Sequence, residues 1–495
     1  MKRTLCIILS LLMAGSCLAS CSNGEAENNP SEITPSAENT DNETAETEEE
    51  TEVETESFDP GLPARDFEGG SFTFLTKSIA SYTDWGETSL YSEGFNGEVL
   101  NDAVFTRNTY IEDTYNCKLN VLDTGDFNRD VGNAVTAGDT IYDVVMPPLN
   151  DAGTLAKKGQ LIDLNTVDNI NLTQPWWDQR SIADLSIAHK NYMISGDIST
   201  LNNDATWCTM INLQVLNNLG VESPYQYVAE DNWNFDTYKK LCADASIDLD
   251  GDGDYDSADS IANLTQNENA TAMLITFGYH LIDKDENDLP YFSLKDNERV
   301  YTILEDISAF MNDTHVSLNY HNYGSEGYHL LTTKMFEENR GLFWITNLQM
   351  VIRLREMETD FGIAPCPKYD EAQTNYSNVV WQVGSYTTIP ISASNADDSG
   401  FILEALAAKS REVLRPAYYE TALSLKYLRD EESITMLDLV IDNRAYELEQ
   451  AFQFGSSSSV ESIVLSQQEP ASSLQKMEKV INKNIQKTLE GLGVE

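Results

Sequence analysis

The chain has 495 residues and a formal net charge of −50, with 81 Asp and Glu against 31 Lys and Arg. That length leaves room for two lobes, each able to bury its own core. So acidic a surface repels phosphate backbones and acidic substrates, which excludes nucleic acid and leaves neutral or cationic partners.

Met1-Lys2-Arg3 is a short basic start, followed from Leu5 to Leu18 by an apolar run of about 14 residues. That is the core of a secretion signal and too short for an ordinary membrane span; no later apolar run is long enough either. Leu18-Ala19-Ser20-Cys21 resembles the bacterial lipobox, in which the cysteine is acylated, with palmitate-type chains among others, and becomes the first mature residue. This implies a signal over 1–20 and an anchor at Cys21 on the extracellular face of the cell membrane. The other reading is an ordinary secretory peptide cut near Ala19 or Ser20. Residues 22–57 carry a charge of −13 with no Lys or Arg, and Glu, Thr, Ser, Asn and Pro dominate them. Nothing there nucleates a core, so a disordered acidic tether is expected over 21–68. A flexible chain of this length has an r.m.s. reach of about 30–36 Å.

The globular body begins near Gly69-Gly70. Ser71 to Thr76 alternates as a strand, and Asn101 to Tyr115 reads as a helix with apolar Ala103, Val104, Tyr110 and Ile111. Lys118 to Leu122 is a second strand and Asn133 to Ala137 a short helix. Ile141 to Met146 is a third strand, closed by Pro147-Pro148. Alternating strands and helices predict a parallel α/β sheet. In such sheets ligands bind at the carboxyl ends of strands, which points to the loops after Thr76 and after Met146. Cys117, Cys208, Cys242 and Cys366 remain in the body; four thiols allow three pairings, and they read as buried small residues or one disulfide.

These elements, with the helix Asn-Asp-Ala-Val-x-x-Arg-Asn at 101–108 and Tyr142-Asp143-Val144-Val145, resemble the family 1 extracellular solute-binding proteins. Further stretches fit the same pattern: Gly159 to Leu164, Pro175 to Asp178 before Lys190 to Ile194, Asn232 to Tyr238, and Phe361 to Lys368. Pro416 to Glu420, Lys426 to Ser433 and Met436 to Asp438 look like a clostridial branch of that family. The resemblance runs from about Ser71 to about Gly455, and Ser472 to Leu492 reads as an amphipathic helix beyond it.

The resemblance implies an α/β, two-lobed periplasmic-binding-protein-like fold (type 2), its lobes joined by crossover strands. The first lobe would be 69–202 plus 385–430 and the second 203–384 plus 431–495. Crossovers fall at Thr200 to Asn203 and at Gly384 to Pro390, and hinge closure around ligand follows from that connectivity. It further implies a receptor, expected as a monomer, that hands a solute, in many members a sugar, to an ABC transporter permease.

The sharpest local motif runs from Asp248 to Asp259. Asp248, Asp250, Asp252, Asp256 and Asp259 stand at positions 1, 3, 5, 9 and 12 of a calcium loop, with Gly253 at the sharp turn and Asp254 at position 7. Position 12 is Asp rather than Glu and position 8 is Tyr255, departures that fit a weaker or dockerin-like loop. A solvated acidic turn is the other reading. A dockerin carries two such loops and the sequence has one, so a bound calcium is expected to be structural.

Sugar sites combine aromatic faces, which stack on pyranose C–H surfaces, with Asp, Asn and Arg that bond hydroxyls. Of seven Trp, Trp85 follows the first strand, Trp207 follows the first crossover beside Asp204, and Trp381 precedes the second crossover with Tyr386 just after it. Trp344 and Asn347 lie where the resemblance places an aromatic across the cleft. Trp85, Asp204, Trp207, Trp344, Asn347, Trp381 and Tyr386 are therefore the candidate ligand contacts. Trp233 is expected in the core, and Trp176 and Trp177 are weaker candidates.

An enzyme is not expected. The sequence has no Gly-x-Ser-x-Gly, no His-Glu-x-x-His and no phosphate loop, and its five His show no zinc spacing. Abundant carboxylates alone do not single out a glycosidase pair. A lipid-anchored receptor for a neutral saccharide is the leading expectation; a peptide receptor or a surface glycoside-acting enzyme are the alternatives.

Overall fold

The computed structural model of the chain describes residues 58–326, 330–423 and 431–494. The signal, Cys21, the tether to residue 57 and Lys426 to Asp430 of the C-terminal motif lie outside the described residues.

The first sheet is parallel. β1 (Gly70–Lys77) runs between its partners, and Phe72, Phe74 and Leu75 on it are buried. Helix α1 (Val99–Tyr115) leads to β2 (Cys117–Thr124), which pairs with β1 in register from Gly70–Cys117 to Lys77–Thr124. Helix α2 (Phe127–Ala137) is six residues longer than the spacing predicts. The Asp126 carboxylate caps it by accepting the Arg129 amide at 3.0 Å, and Phe127, Val131 and Ala134 form its buried stripe. The third strand is shorter than expected. Only Val144–Val145 (β3) forms a ladder, because the Asp143 carboxylate takes the Thr73 amide at 2.9 Å where a backbone carbonyl would continue the sheet. Helix α3 (Leu149–Lys157) follows Pro148.

The chain leaves this lobe through a single helical turn, α4 (Leu201–Asp204), rather than an extended strand, and enters β4 (Trp207–Asn212). A five-stranded mixed sheet organises the second lobe. Its further strands are β5 (Ile261–Thr265), β6 (Ser317–Asn319), β7 (Gly341–Asn347) and β8 (Phe361–Ala364), in the order β8-β4-β7-β5-β6. β4 is antiparallel to β7 and β8, whereas β5 is parallel to β7 and β6. The chain returns through residues 385–390, where Thr388 bridges Val145 and Thr387 bridges Ile194. The Asn202 side-chain amide donates to the Ser385 carbonyl at 2.7 Å, which stitches the two crossovers together.

Helix α5 (Ala396–Leu423) packs on α1 and fills the first core with Phe401, Ile402, Leu403 and Leu406. Helix α6 (Glu431–Asp442) then packs on β8.

Two boundaries differ from expectation. Residues 431–495 were expected in the second lobe, yet α7 (Leu448–Phe452) lies on α3 of the first. The approach is so close that a Cβ at Gly153 would sit 2.0 Å from the Ala451 carbonyl oxygen. Helix α8 (Ser456–Leu465) and helix α9 (Pro470–Gly491) lie on the second lobe, and the end of α9 touches Lys157 of the first. The C-terminal segment therefore spans both lobes. The tether, expected to reach residue 68, ends sooner: Phe58, Leu62 and Phe67 pack on the first core, and Arg65 pairs with Asp398 while lying over the Phe67 ring at 4.7 Å. Apolar side chains with a surface to cover do not stay in a solvated tether. All four body cysteines are buried and unpaired, which leaves the disulfide reading without support. Among the described residues no helix is long and apolar enough to cross a membrane.

Candidate functional site

The carboxyl ends of β1, β5 and β7 all approach the crossovers, and there a pocket opens between the lobes. It is lined by Trp85 from the loop after β1, Gln266 and Glu268 after β5, and Thr346 and Asn347 at the end of β7. Gln349, Met350 and Arg353 of the following helical turn, Trp207 at the start of β4, and Trp381 and Val383 of the second crossover complete it. Because β4 runs antiparallel to β7, its first residue, Trp207, stands opposite Asn347, the last of β7. The pairing brings residues 140 positions apart onto one rim. The Trp207 and Trp381 rings lie side by side, centroids 5.4 Å apart and tilted by 39°. The Trp381 amide donates to the Ala205 carbonyl at 2.9 Å, which fixes the second crossover against the first.

The lobes meet directly over this pocket. Gln349 donates its side-chain amide to the Asp84 carbonyl at 2.6 Å, and Arg353 forms an ion pair with the Asp84 carboxylate. The space open to solvent in it is about 40 Å³, room for a water or two, and these two contacts hold the lobes together at its mouth. Three polar atoms of the lining are buried without a hydrogen-bond partner: Trp207 Nε1, a donor, and Asn347 Oδ1 and Glu268 Oε2, both acceptors. Native proteins seldom leave such groups unpaired, since each costs about 1–3 kcal/mol.

Of the seven candidate contacts, the structure brings Trp85, Trp207, Asn347 and Trp381 together. It does not bring the other three. Trp344 is wholly buried in the second-lobe core against Phe336, since the pleat that faces Asn347 one way turns a residue three positions earlier the other way. Tyr386 is wholly buried against Tyr446. Asp204 is buried under the crossover, accepts the Tyr418 hydroxyl at 3.0 Å, and has its carboxyl pushed up to about 7 chiefly by burial. Lys77 lies nearby at the end of β1. Its ammonium donates to the Val383 and Gly384 carbonyls at 2.5 and 3.0 Å, and burial lowers its pKa to about 8. The loop after β1 contributes as expected, whereas the loop after Met146 contributes no lining residue. Trp233 is core, donating its indole N–H to the Pro365 carbonyl, and Trp176 and Trp177 are core in the first lobe. Gln266, Glu268, Gln349 and Arg353 carry no local signal in the sequence; they become lining residues because they follow the ends of β5 and β7.

In the acidic loop, Asp248, Asp250 and Asp252 each bring one carboxylate oxygen within 4.8 Å of the others. Asp248 also accepts the amides of Gly251 and Gly253, at 2.7 and 3.0 Å, and Gly253 takes the left-handed turn conformation at φ 90°. Asp254, Asp256 and Asp259 do not join the cluster. Asp259 is buried and spends its carboxylate on the amides of Leu249 and Asp256, at 2.8 and 2.9 Å, while Asp256 caps the Ala258 amide.

No protein-family model and no curated protein matches the sequence. Solved structures do resemble it. The cyclic α-maltosyl-1,6-maltose binding protein of Arthrobacter globiformis superposes with a TM-score of 0.56 at 14% identity, over 84% of this chain and 98% of that one. The maltose-binding periplasmic protein of Listeria monocytogenes, solved with maltose, gives 0.55 at 13% identity over 84% and 98%. A sugar transporter of Rhizobium etli in an open conformation gives 0.55 at 12% identity over 83% and 99%. With its two α/β lobes, double crossover and interlobe pocket, the chain has the fold of these two-lobed binding proteins.

Proposed function

We propose that the chain is an extracellular substrate-binding protein that captures a saccharide between its lobes and delivers it to an ABC importer, held at the membrane by an acylated Cys21. The observation that carries this reading is the interlobe pocket, where three indole rings meet three unpartnered polar atoms. Sugars offer what that lining lacks, with C–H faces for the rings and hydroxyls that both donate and accept. Neighbours of the same fold are solved with maltose or named for maltose-type sugars. The mechanism is conformational: opening breaks the Asp84–Arg353 contact, and a ligand that bridges both lobes favours the closed form, which docks on the permease. No covalent step is involved.

Calorimetric titration with gluco-, xylo-, manno- and galacto-oligomers tests the reading, and silence across that panel would shift it to peptides or another solute. Trp381→Ala is expected to weaken binding of the responding sugar about 10- to 100-fold, as loss of an aromatic anchor does. The melting temperature should change little, because Trp381 is only partly buried. Unchanged affinity would place the sugar elsewhere. Metabolic labelling with a palmitate analogue, lost in Cys21→Ser, tests the anchor.

A structural calcium in the Asp248–Asp259 loop is proposed alongside, supported by the convergence of the first three carboxylates. Calcium is expected to raise the melting temperature, and Asp248→Ala to abolish that rise. An identical melting curve with calcium and with chelator would mean a metal-free turn.

A further inference from the structure

The lining of the interlobe pocket holds one acid and one base, and the base is engaged by a carboxylate of the other lobe. Glu268, just past the end of β5, has one carboxylate oxygen buried and unpartnered. Among the described lining residues Arg353 is the only Lys, Arg or His, and it is held by Asp84 from the other lobe. A second carboxyl stands close behind: Glu461 on α8 is pushed up to about 7, first by burial and then by the charge of Glu268. A hydroxyl would satisfy that oxygen's hydrogen bond, whereas an ammonium would bring the opposite charge as well.

The rest of the lining has the matching character. Trp85, Trp207 and Trp381 surround the same small space. Indole faces attract cations through the ring quadrupole, the more strongly when water is excluded. Asn347 Oδ1 is a further acceptor without a donor, and a protonated amine brings three N–H groups to share between it and Glu268. Trp207 Nε1, a donor without an acceptor, asks in addition for an oxygen on the ligand, which a bare alkylammonium lacks. The body's strong negative charge draws cationic solutes towards the cleft.

We propose that the pocket selects a saccharide bearing a free, protonated amine, with Glu268 as the residue that distinguishes it from the neutral sugar. This replaces the neutral saccharide of the sequence expectation with a cationic one and rests on the saccharide reading above.

The test is calorimetric titration of the extracellular chain at pH 6, where the amine is protonated. Glucosamine oligomers of two to four units are compared with N-acetylglucosamine oligomers and β-1,4-glucose oligomers of equal length, and choline serves as a cation without a sugar. Glucosamine oligomers are expected to bind about 10-fold or more tighter than both neutral series. Glu268→Gln, checked for folding by its melting curve, should bring the three series within about threefold of one another. Equal affinity of aminated and neutral oligomers for the natural chain overturns the inference while the saccharide reading stands, and needs no variant. An amine preference that survives in a folded Glu268→Gln also overturns the role of Glu268. Binding of choline with no response to any oligomer would sink the saccharide reading and keep the cation-binding pocket. No response to any of these probes overturns both.

Discussion

Arg107→Met is expected to lower folding stability by about 3–5 kcal/mol, the range for removing one member of a buried polar network. The guanidinium is wholly buried on α1 and donates to the Ile198 carbonyl and Ser410 hydroxyl at 3.0 Å, and to the Ser89 carbonyl at 2.6 Å. Those partners belong to three different places: the stretch just before the first crossover, helix α5, and the loop that carries Trp85 onward into α1. Met fills a similar volume and donates nothing, so two buried carbonyls lose their donor, at about 1–3 kcal/mol each. The cost is partly offset because a buried cation no longer has to be desolvated; burial has already pulled its pKa down to about 10. Urea denaturation at neutral pH measures the difference. A loss below about 1 kcal/mol would show that water replaces the guanidinium and that it does not hold these segments together.

Arg107 also explains why the sequence could be read at all. It belongs to Asn101-Asp102-Ala103-Val104-Phe105-Thr106-Arg107-Asn108, and nearly every fixed residue in that run fastens the preceding loop. Asn101 donates to the Gly94 carbonyl, Asp102 accepts the amides of Asn96 and Gly97, and Asn108 donates to the Leu90 carbonyl. Residues committed to the backbone in this way leave a sequence signature whatever ligand the pocket takes. The first lobe was legible for a related reason: its strands alternate, its helices have stripes, and each element pairs with one nearby in the chain.

The candidate site was legible where an uncommon residue marked it and, at Asn347, where the family resemblance placed a contact. Trp85, Trp207 and Trp381 stand out because Trp is rare, and their places beside strand ends and crossovers are local facts. Glu268 and Arg353 had no such mark. One Glu among 81 acidic residues becomes distinctive only when one of its oxygens is buried without a partner, and that depends on strands β5 and β7 meeting across 80 residues of chain. Trp344 and Asn347 were separable in principle, because three residues along a strand reverse the facing side. Periodicity alone does not tell which side is the cleft. Residues 58–68 misled by composition: their polar and Pro-Gly content continues the tether, while Phe58, Leu62 and Phe67 are enough to hold them to the first lobe.

In Lys77→Met the dependence of stability on pH should lose the rising contribution that Lys77 makes between about pH 8 and 10.5. The Lys77 ammonium is 1% exposed and has its pKa lowered from 10.5 to about 8, first by burial, against the opposing pull of Glu87 and Asp204. Between those values the unfolded chain holds a proton that the folded chain has lost, so this residue makes stability increase with pH across the window. A displacement of that size corresponds to about 3 kcal/mol, fully developed above pH 10.5 and absent below about pH 8. Asp204 works in the opposite sense at lower pH. Its carboxyl is raised to about 7, so the stability of its protonated form is lost as pH climbs from 4 to 7. The variant should keep the Asp204 contribution and lose the Lys77 one. Urea denaturation of both proteins at pH 7.5 and pH 10 reads this out, and parallel profiles would mean that Lys77 stays charged in the folded state. Ligand affinity should behave differently across the same window. A neutral amine still carries two N–H groups, enough for the Val383 and Gly384 carbonyls, so deprotonation leaves the crossover wall of the pocket bonded as before. Affinity for a neutral oligomer is therefore expected to stay flat between pH 8 and 10 while the Lys77 contribution to stability rises. A parallel fall in affinity would instead make the ammonium charge, rather than its hydrogen bonds, the feature that shapes the pocket.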